Sequence, residues 1–417
     1  MKSTALICLI ITLSLSLSYG QAFSQFYSNE TVNLKEVPEY AAMNDWNNLF
    51  SDYHTESGGR GLGKLKQIVV APDGSIFMSH KTTYAIWKFD QNGELVKKFG
   101  KKGNGKGEFV MRATVGGITG GKYLYTTDVQ GRMLFFDLNG NYVKSLKLDY
   151  MPLRTIPLSQ MKIAIFGHVP MGKGKVKNIV SILDSESGKE KIIWEGFYDP
   201  SFTEIKLANG KSMLVKLNIS FPDVSRYGIA ATSNGNLLVA SNEGHNLSEY
   251  SSDGNLIRSF PLDIKPVKIT DADIDRMYET QLNTFDLFQE RLSEERTLTQ
   301  EELDQVKAEY KKRLEAKREE LKGGDLLPLY STIITDPEDN ILVFEYTEEK
   351  DTNQFSAFKF NGNGSLIGVS KFVSNEFDLT FTPSNFIFND SYVYAVASKK
   401  ESQGVPLRLV KFILSYE

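Results

Sequence analysis

The side chains able to do polar chemistry are scattered along this chain. Of four histidines among 417 residues, three (His80, His168 and His245) each follow a short apolar run. None has a partner at a recognised ligand spacing. Imidazole and carboxylate are the common ligands of divalent ions, so a metal site would have to be assembled from distant segments. HExxH and GxSxG are both absent, which removes the usual metallopeptidase and serine-hydrolase signals. No residue is assigned as catalytic or metal-ligating. The glycine run from Gly100 to Gly107, interleaved with lysines, has the composition of a phosphate loop. A strand follows it where a phosphate loop needs a helix N-terminus, so it reads as a link between structural units. Lys173, Lys175 and Lys177 read as a solvated loop.

The elements that must carry these residues show themselves as a repeat. A turn ending at Gly74, Gly121 or Gly235 is followed by an apolar strand and then an aromatic-rich one, and a second turn glycine (Gly93, Gly140, Gly254) comes 19 residues after the first in all three cases. Such a repeat predicts stacked β-units that bury their faces against their neighbours. In the first unit the strands read as Leu65 to Val70, Ile76 to Ser79, Ala85 to Phe89 and Glu94 to Phe99. In the second they read as Ala113 to Ile118, Tyr123 to Thr127, Arg132 to Phe136 and Tyr142 to Leu148. Asn-Gly at the near-copied turns Asp90 to Gly93 and Asp137 to Gly140 supplies the positive φ of a tight hairpin. A looser unit follows over 153–194, the strict pattern returns over 227–262, and two further units read over 329–372, with a longer loop between its strands, and 384–414. The last has three strands, and the strand-like segment Glu30 to Val37 is expected to complete it, because open sheet edges are a liability.

From Thr270 to Lys322 the composition turns polar and the period helical. Ile274, Met277, Tyr278, Leu282, Phe285 and Leu292 form one stripe; Leu303, Val306, Tyr310 and Leu314 form another, opened by a Thr299/Glu302 capping box. This predicts a helical hairpin inserted into an all-β chain.

Lys2, the apolar run Ala5 to Leu17 and Ser18-Tyr19-Gly20 have the form of an export signal cleaved after Gly20, with Ala22-Phe23-Ser24 as the alternative site. The run is shorter than the roughly 20 residues a membrane span needs. The single cysteine, Cys8, lies within it and comes too early for lipid anchoring. The expected protein is exported, periplasmic or secreted, with no transmembrane segment in its mature chain and no disulfide. The 48 basic against 52 acidic residues and the net charge of −4 argue against a dedicated nucleic-acid binder.

The stretch Phe99-Gly100-Lys-Lys-Gly103-Asn-Gly105-Lys-Gly107-Glu-Phe109, with Ile76 to His80 and Ile86 to Asp90, resembles the NHL-repeat and related six-bladed β-propeller families. It departs from their pattern in lacking a proline soon after Phe109, and in having His80 where Asp128 stands in the second unit. The resemblance implies an all-β six-bladed β-propeller with the helical hairpin inserted between blades four and five: 1–20 signal peptide, 21–267 blades one to four with the N-terminal closing strand, 268–323 helical insertion, 324–417 blades five and six. It further implies that loops after second strands share one face, collecting His80, Asp128, His168, Asn242, Glu243, His245 and Glu345, with Tyr278, Phe285 and Tyr310 of the insertion capping it. The expected function is binding or scaffolding of a glycan, peptide or partner protein at that face, without a cofactor. The alternative is a metal-dependent hydrolase or lyase, lactonase-like, drawing on Asp128, Asn242 and Glu243.

Overall fold

In the computed structural model the described residues are 28–50, 68–80, 84–110, 114–128, 130–171, 176–198, 202–207, 210, 212–216, 227–241, 245–265, 268–294, 298–321, 329–345, 354–378, 387–389 and 391–416. After strand β1 (Ser28–Glu36) and a short helix α1 (Trp46–Leu49), four-stranded antiparallel sheets follow one another. Blade one is β2 to β5 (Ile68–Val70, Ile76–His80, Ala85–Phe89, Leu95–Phe99). Blade two is β6 to β9 (Thr114–Thr119, Tyr123–Thr127, Arg132–Asp137, Tyr142–Lys147). Blade three is β10 to β13 (Met151–Pro157, Lys162–Pro170, Val176–Asp184, Glu190–Tyr198). A separate hairpin, β14 (Phe202–Lys206) and β15 (Ser212–Lys216), precedes blade four, β16 to β19 (Tyr227–Ala231, Leu237–Ser241, Asn246–Tyr250, Leu256–Pro261). Helices α2 (Asp271–Glu294) and α3 (Gln300–Leu321) separate it from blade five, β20 to β23 (Thr332–Thr335, Ile341–Phe344, Gln354–Phe360, Leu366–Val373). Blade six has its inner strand in two pieces, β24 (Phe377–Asp378) and β25 (Ile387–Asn389), both paired with β26 (Tyr392–Lys399), which pairs in turn with β27 (Leu407–Tyr416). The chain is a six-bladed β-propeller.

Middle strands are sandwiched between neighbouring blades and are therefore apolar on both faces, whereas outer strands keep the two-residue alternation of a half-buried strand. β7 (YLYTT) is buried over its last four residues, while β9 (YVKSLK) alternates half-buried and exposed. The core is divided among the blade junctions. Phe77, Phe99, Phe109, Leu124 and Phe136 fill the first, between blades one and two. Tyr125, Phe135, Ile163 and Ile179 fill the next. Further clusters join blade three to four, four to five and five to six.

The junction between blades six and one is built partly from the N-terminal segment. β1 runs antiparallel to β27 as the fourth strand of blade six and parallel to β23 of blade five. Val32 and Leu34 enter the core between those blades, and Tyr40, Ala41 and Phe50 join Trp87, Ile76 and Leu409 in the core between blades six and one.

Candidate functional site

The polar residues expected on one face are held by different blades. Asp128, which follows β7, is buried; its Oδ1 accepts the backbone N–H groups of Gln130 and Arg132, both at 3.0 Å, and its Oδ2 accepts Arg132 Nε–H at 2.9 Å. Both oxygens thus fix the turn into the third strand of blade two. Burial and these three donors tie the Asp128 carboxylate to the turn.

His245 is also accounted for by the backbone. Its φ is 51°, and its carbonyl accepts the Leu262 N–H at 2.7 Å. Gly131, with φ 76°, holds the same place in blade two and accepts Leu148 N–H at the same distance, and Tyr84 (φ 52°) stands at the corresponding point of blade one. The position demands left-handed backbone, in which His is enriched among non-glycine residues. His168 lies within β11, opposite Met151 and Asn178, with its ring edge-to-face on Phe166 at 5.9 Å. Glu345 is exposed after β21, and its N–H is bound to the Ser356 carbonyl. His80 ends β3 opposite Ala85, and nothing is described of its side chain. Asn242 and Glu243 lie outside the described residues. Among the described residues no group of three or more His, Cys, Asp or Glu is placed to hold a metal ion.

Tyr278, Phe285 and Tyr310 lie inside the inserted module. All three are buried in a small core with Ile274, Met277, Val306 and Leu314 of the helices and Ile205 and Leu207 of the β14 hairpin. Phe285 stacks on Tyr310 at 4.1 Å. Burial pushes the Tyr310 phenol up to about 12. Burial, reinforced by the acceptor Glu315 at 3.2 Å from the hydroxyl, raises that of Tyr278. The stripe is spent on joining two insertions into one appended module, because short amphipathic helices need an apolar partner. Each helix has its own capping box, Thr270 with Asp273 and Thr299 with Glu302, and Arg318 pairs with Asp275 across the hairpin. Between β14 and α3 lies an open groove of about 490 Å³ lined by Lys206, Gln305, Ala308, Glu309, Lys312 and Arg313.

Two features escaped the sequence reading. Asn209-Gly210 between apolar runs is the hairpin signal that would have found β14 and β15. The other is Arg154, the single charged residue on the inner strands of blades one to five. Its Nη1 donates to Thr332 Oγ1 at 3.0 Å and its Nη2 to the Ile333 carbonyl at 3.5 Å, so it reaches from blade three to blade five. A charge among the apolar residues of β10 was the available signal.

A family described as a 6-bladed beta-propeller (DUF5128) matches residues 61–222. No curated protein matches the chain. Among solved structures, a member of the DUF4221 family from Bacteroides vulgatus is 11% identical, with 94% of this chain and 97% of that one covered and a TM-score of 0.46. Virginiamycin B lyase from Staphylococcus aureus is 10% identical, covering 84% and 95%, at a TM-score of 0.37. Regucalcin, a calcium-binding protein from Agrobacterium tumefaciens, is 7% identical, covering 84% and 90%, at 0.40. Ligands and activities named there are those proteins' own. A propeller supports a binding or scaffolding role in general. No helix among the described residues is long and apolar enough to cross a membrane.

Proposed function

We propose that this chain is an exported propeller that works as a binding or scaffolding module, with the appended helix–hairpin module as its partner-facing element. The observation that carries this reading is the module's closed core. Insertions on either side of blade four, at β14–β15 and at α2–α3, pool Ile205, Leu207, Tyr278, Phe285 and Tyr310 into one cluster separate from the cores of the blade junctions. Nothing in ring closure requires such a module. With the aromatic residues interior, no flat ring of that stripe is offered to a sugar, so a protein or peptide is favoured over a glycan. The groove's exposed Lys206 and Lys312, beside the paired Glu309 and Arg313, suit an acidic segment of the partner. The export reading rests on the leader-like first twenty residues.

Reversing both exposed charges, Lys206→Glu with Lys312→Glu, tests this. The variant is expected to melt with the native protein, since exposed substitutions shift stability by about 0.5 kcal/mol or less, and to lose partners captured from the cell-envelope fraction of the source organism. Retention of every partner by a folded double variant would move the binding site elsewhere.

A further inference from the structure

Arg154 spans the middle of the ring. Inner strands neighbour one another in the order β2, β6, β10, β16, β20, so β10 and β20 are separated by blade four. A side chain that bridges them must cross the axial channel that propeller blades enclose. The guanidinium has five N–H donors, and two are used, by Thr332 Oγ1 and the Ile333 carbonyl. No carboxylate among the described residues pairs with it. Arg154 as a residue is half-buried, and burial lowers the pKa of its guanidinium to about 10, so it stays cationic at neutral pH. A guanidinium held this deep without a counter-ion is costly unless an anion completes it.

The backbone around it is irregular in a way the other blades are not. Register shifts in the third-to-fourth strand pairs recur in five blades, at the last pair before the hairpin turn in four of them and at Val180/Ser181 in blade three. Shifts between first and second strands occur only in blades two and three among the described pairs, at Val115/Gly117 and Pro152/Arg154. Such bulges re-aim side chains and collect near functional sites. One of them sets Leu153, 46% exposed, next to Arg154. The other places Gly116 where an added Cβ would lie 2.5 Å from Thr155 Oγ1, so β6 closes tightly on the same stretch of β10.

We infer that the axial channel is a binding site for a small organic carboxylate, gripped by the free edge of the Arg154 guanidinium, with Leu153 beside its hydrocarbon part. The planar fork of guanidinium matches a carboxylate with two parallel hydrogen bonds, and the apolar neighbour favours an organic anion over an inorganic one. This site is independent of the appended module, so its failure leaves the partner-facing role untouched.

The test is thermal unfolding of the full chain in acetate, butyrate or inorganic phosphate, with ionic strength held constant by chloride. Butyrate is expected to raise Tm saturably by roughly 2 °C or more, and acetate by less. Arg154→Met should abolish the shift and, in the absence of anion, melt no lower than the native protein, since an uncompensated charge has been removed. Arg154→Lys keeps the charge but not the fork, and should weaken butyrate binding about tenfold. The inference is overturned if no carboxylate shifts the native Tm, or if phosphate shifts it and butyrate does not. An Arg154→Met variant that melts several degrees lower, or does not fold, while the native protein ignores carboxylates identifies a structural strut between blades three and five.

Discussion

Asp184 shows what a single polar side chain does in a turn of this protein. Its Oδ1 accepts the N–H groups of Ser187 at 2.9 Å and Glu186 at 3.0 Å, and Lys162 Nζ lies 3.1 Å from Oδ2. The Ser187 hydrogen bond first, then Lys162, hold the carboxyl at about 2, below its ordinary 3.8. A depressed folded-state pKa contributes stability that is complete above the ordinary value and is lost as pH falls through the folded one. Tm should therefore drop between pH of about 4 and about 2. Asp184→Asn should lower Tm at neutral pH and close the gap to the native protein across that window; a gap that stays constant there would contradict the assignment. Asp128 allows a sharper distinction between turn and site. Asp128→Asn keeps an oxygen for the two backbone donors but loses the charge facing Arg132, so it should destabilise by about 1–3 kcal/mol in denaturant titrations. A stable variant with altered ligand binding would return Asp128 to the functional set. Gly140 has φ 81°, and a Cβ there would lie 2.7 Å from the Phe99 ring. Gly140→Ala should cost about 1–3 kcal/mol, through overpacking and backbone strain together.

At the scale of elements, one contact recurs from blade to blade. Lys97 of blade one donates to the Asn139 carbonyl in the turn of blade two, Lys144 of blade two to Ser185, Lys191 of blade three to Asp253, and Arg258 of blade four to Gly362. The turn glycine of each following blade also rests against the outer strand of the one before, as Gly140 does on Phe99, Gly254 on Ile193 and Gly364 on Phe260. At the junction of blades six and one the N-terminal segment stands in for the outer strand: Tyr40 abuts Gly93, and Asn44 Nδ2 donates to the Gly93 carbonyl at 2.8 Å. Asn44→Ala also removes the bond that its Oδ1 accepts from Leu95 N–H at 3.1 Å and should cost about 1–3 kcal/mol for the two, and melting at the native temperature would show that this staple is idle. Blades one, two and four were legible in the sequence because Asp-x-Asn-Gly and Asn-Gly turns punctuate them at fixed spacing. The split inner strand of blade six has no such punctuation. The helices were legible from period and caps; their buried partner was not, because periodicity shows that a face is apolar without showing what covers it. The charge of Arg154 among the apolar residues of β10 could be read, but its role was hidden for the converse reason. Its meaning lies in Thr332 and Ile333, distant in sequence and joined to it only by the closed ring.

For the whole molecule, closure is the organising constraint. A ring of sheets is stable only while every junction is filled, since each blade buries its faces against its neighbours. The N-terminal segment serves two junctions: β1 places Val32 and Leu34 between blades five and six, and the stretch after it delivers Tyr40, Ala41 and Phe50 to the next. Phe50 stacks between Trp46 and Trp87, with ring centroids 5.7 Å and 5.8 Å away. Removing β1 alone would expose the edges of β27 and β23 and uncover the blade-five/six core; removing 28–50 would open the junction of blades six and one as well. The shorter deletion should lower Tm and promote aggregation through the freed edges. The longer one should abolish cooperative unfolding, leaving blade six to melt separately from blades one to five, whose mutual junctions keep their cores. Calorimetry with a parallel fluorescence melt distinguishes the two, since Trp87 reports the six–one junction and Trp194 packs between blades three and four. Coincident transitions at the native temperature after the longer deletion would mean that the blades close the ring without the N-terminal segment. A Trp87 transition that moves down while Trp194 holds would place the closing role of that segment where its contacts put it.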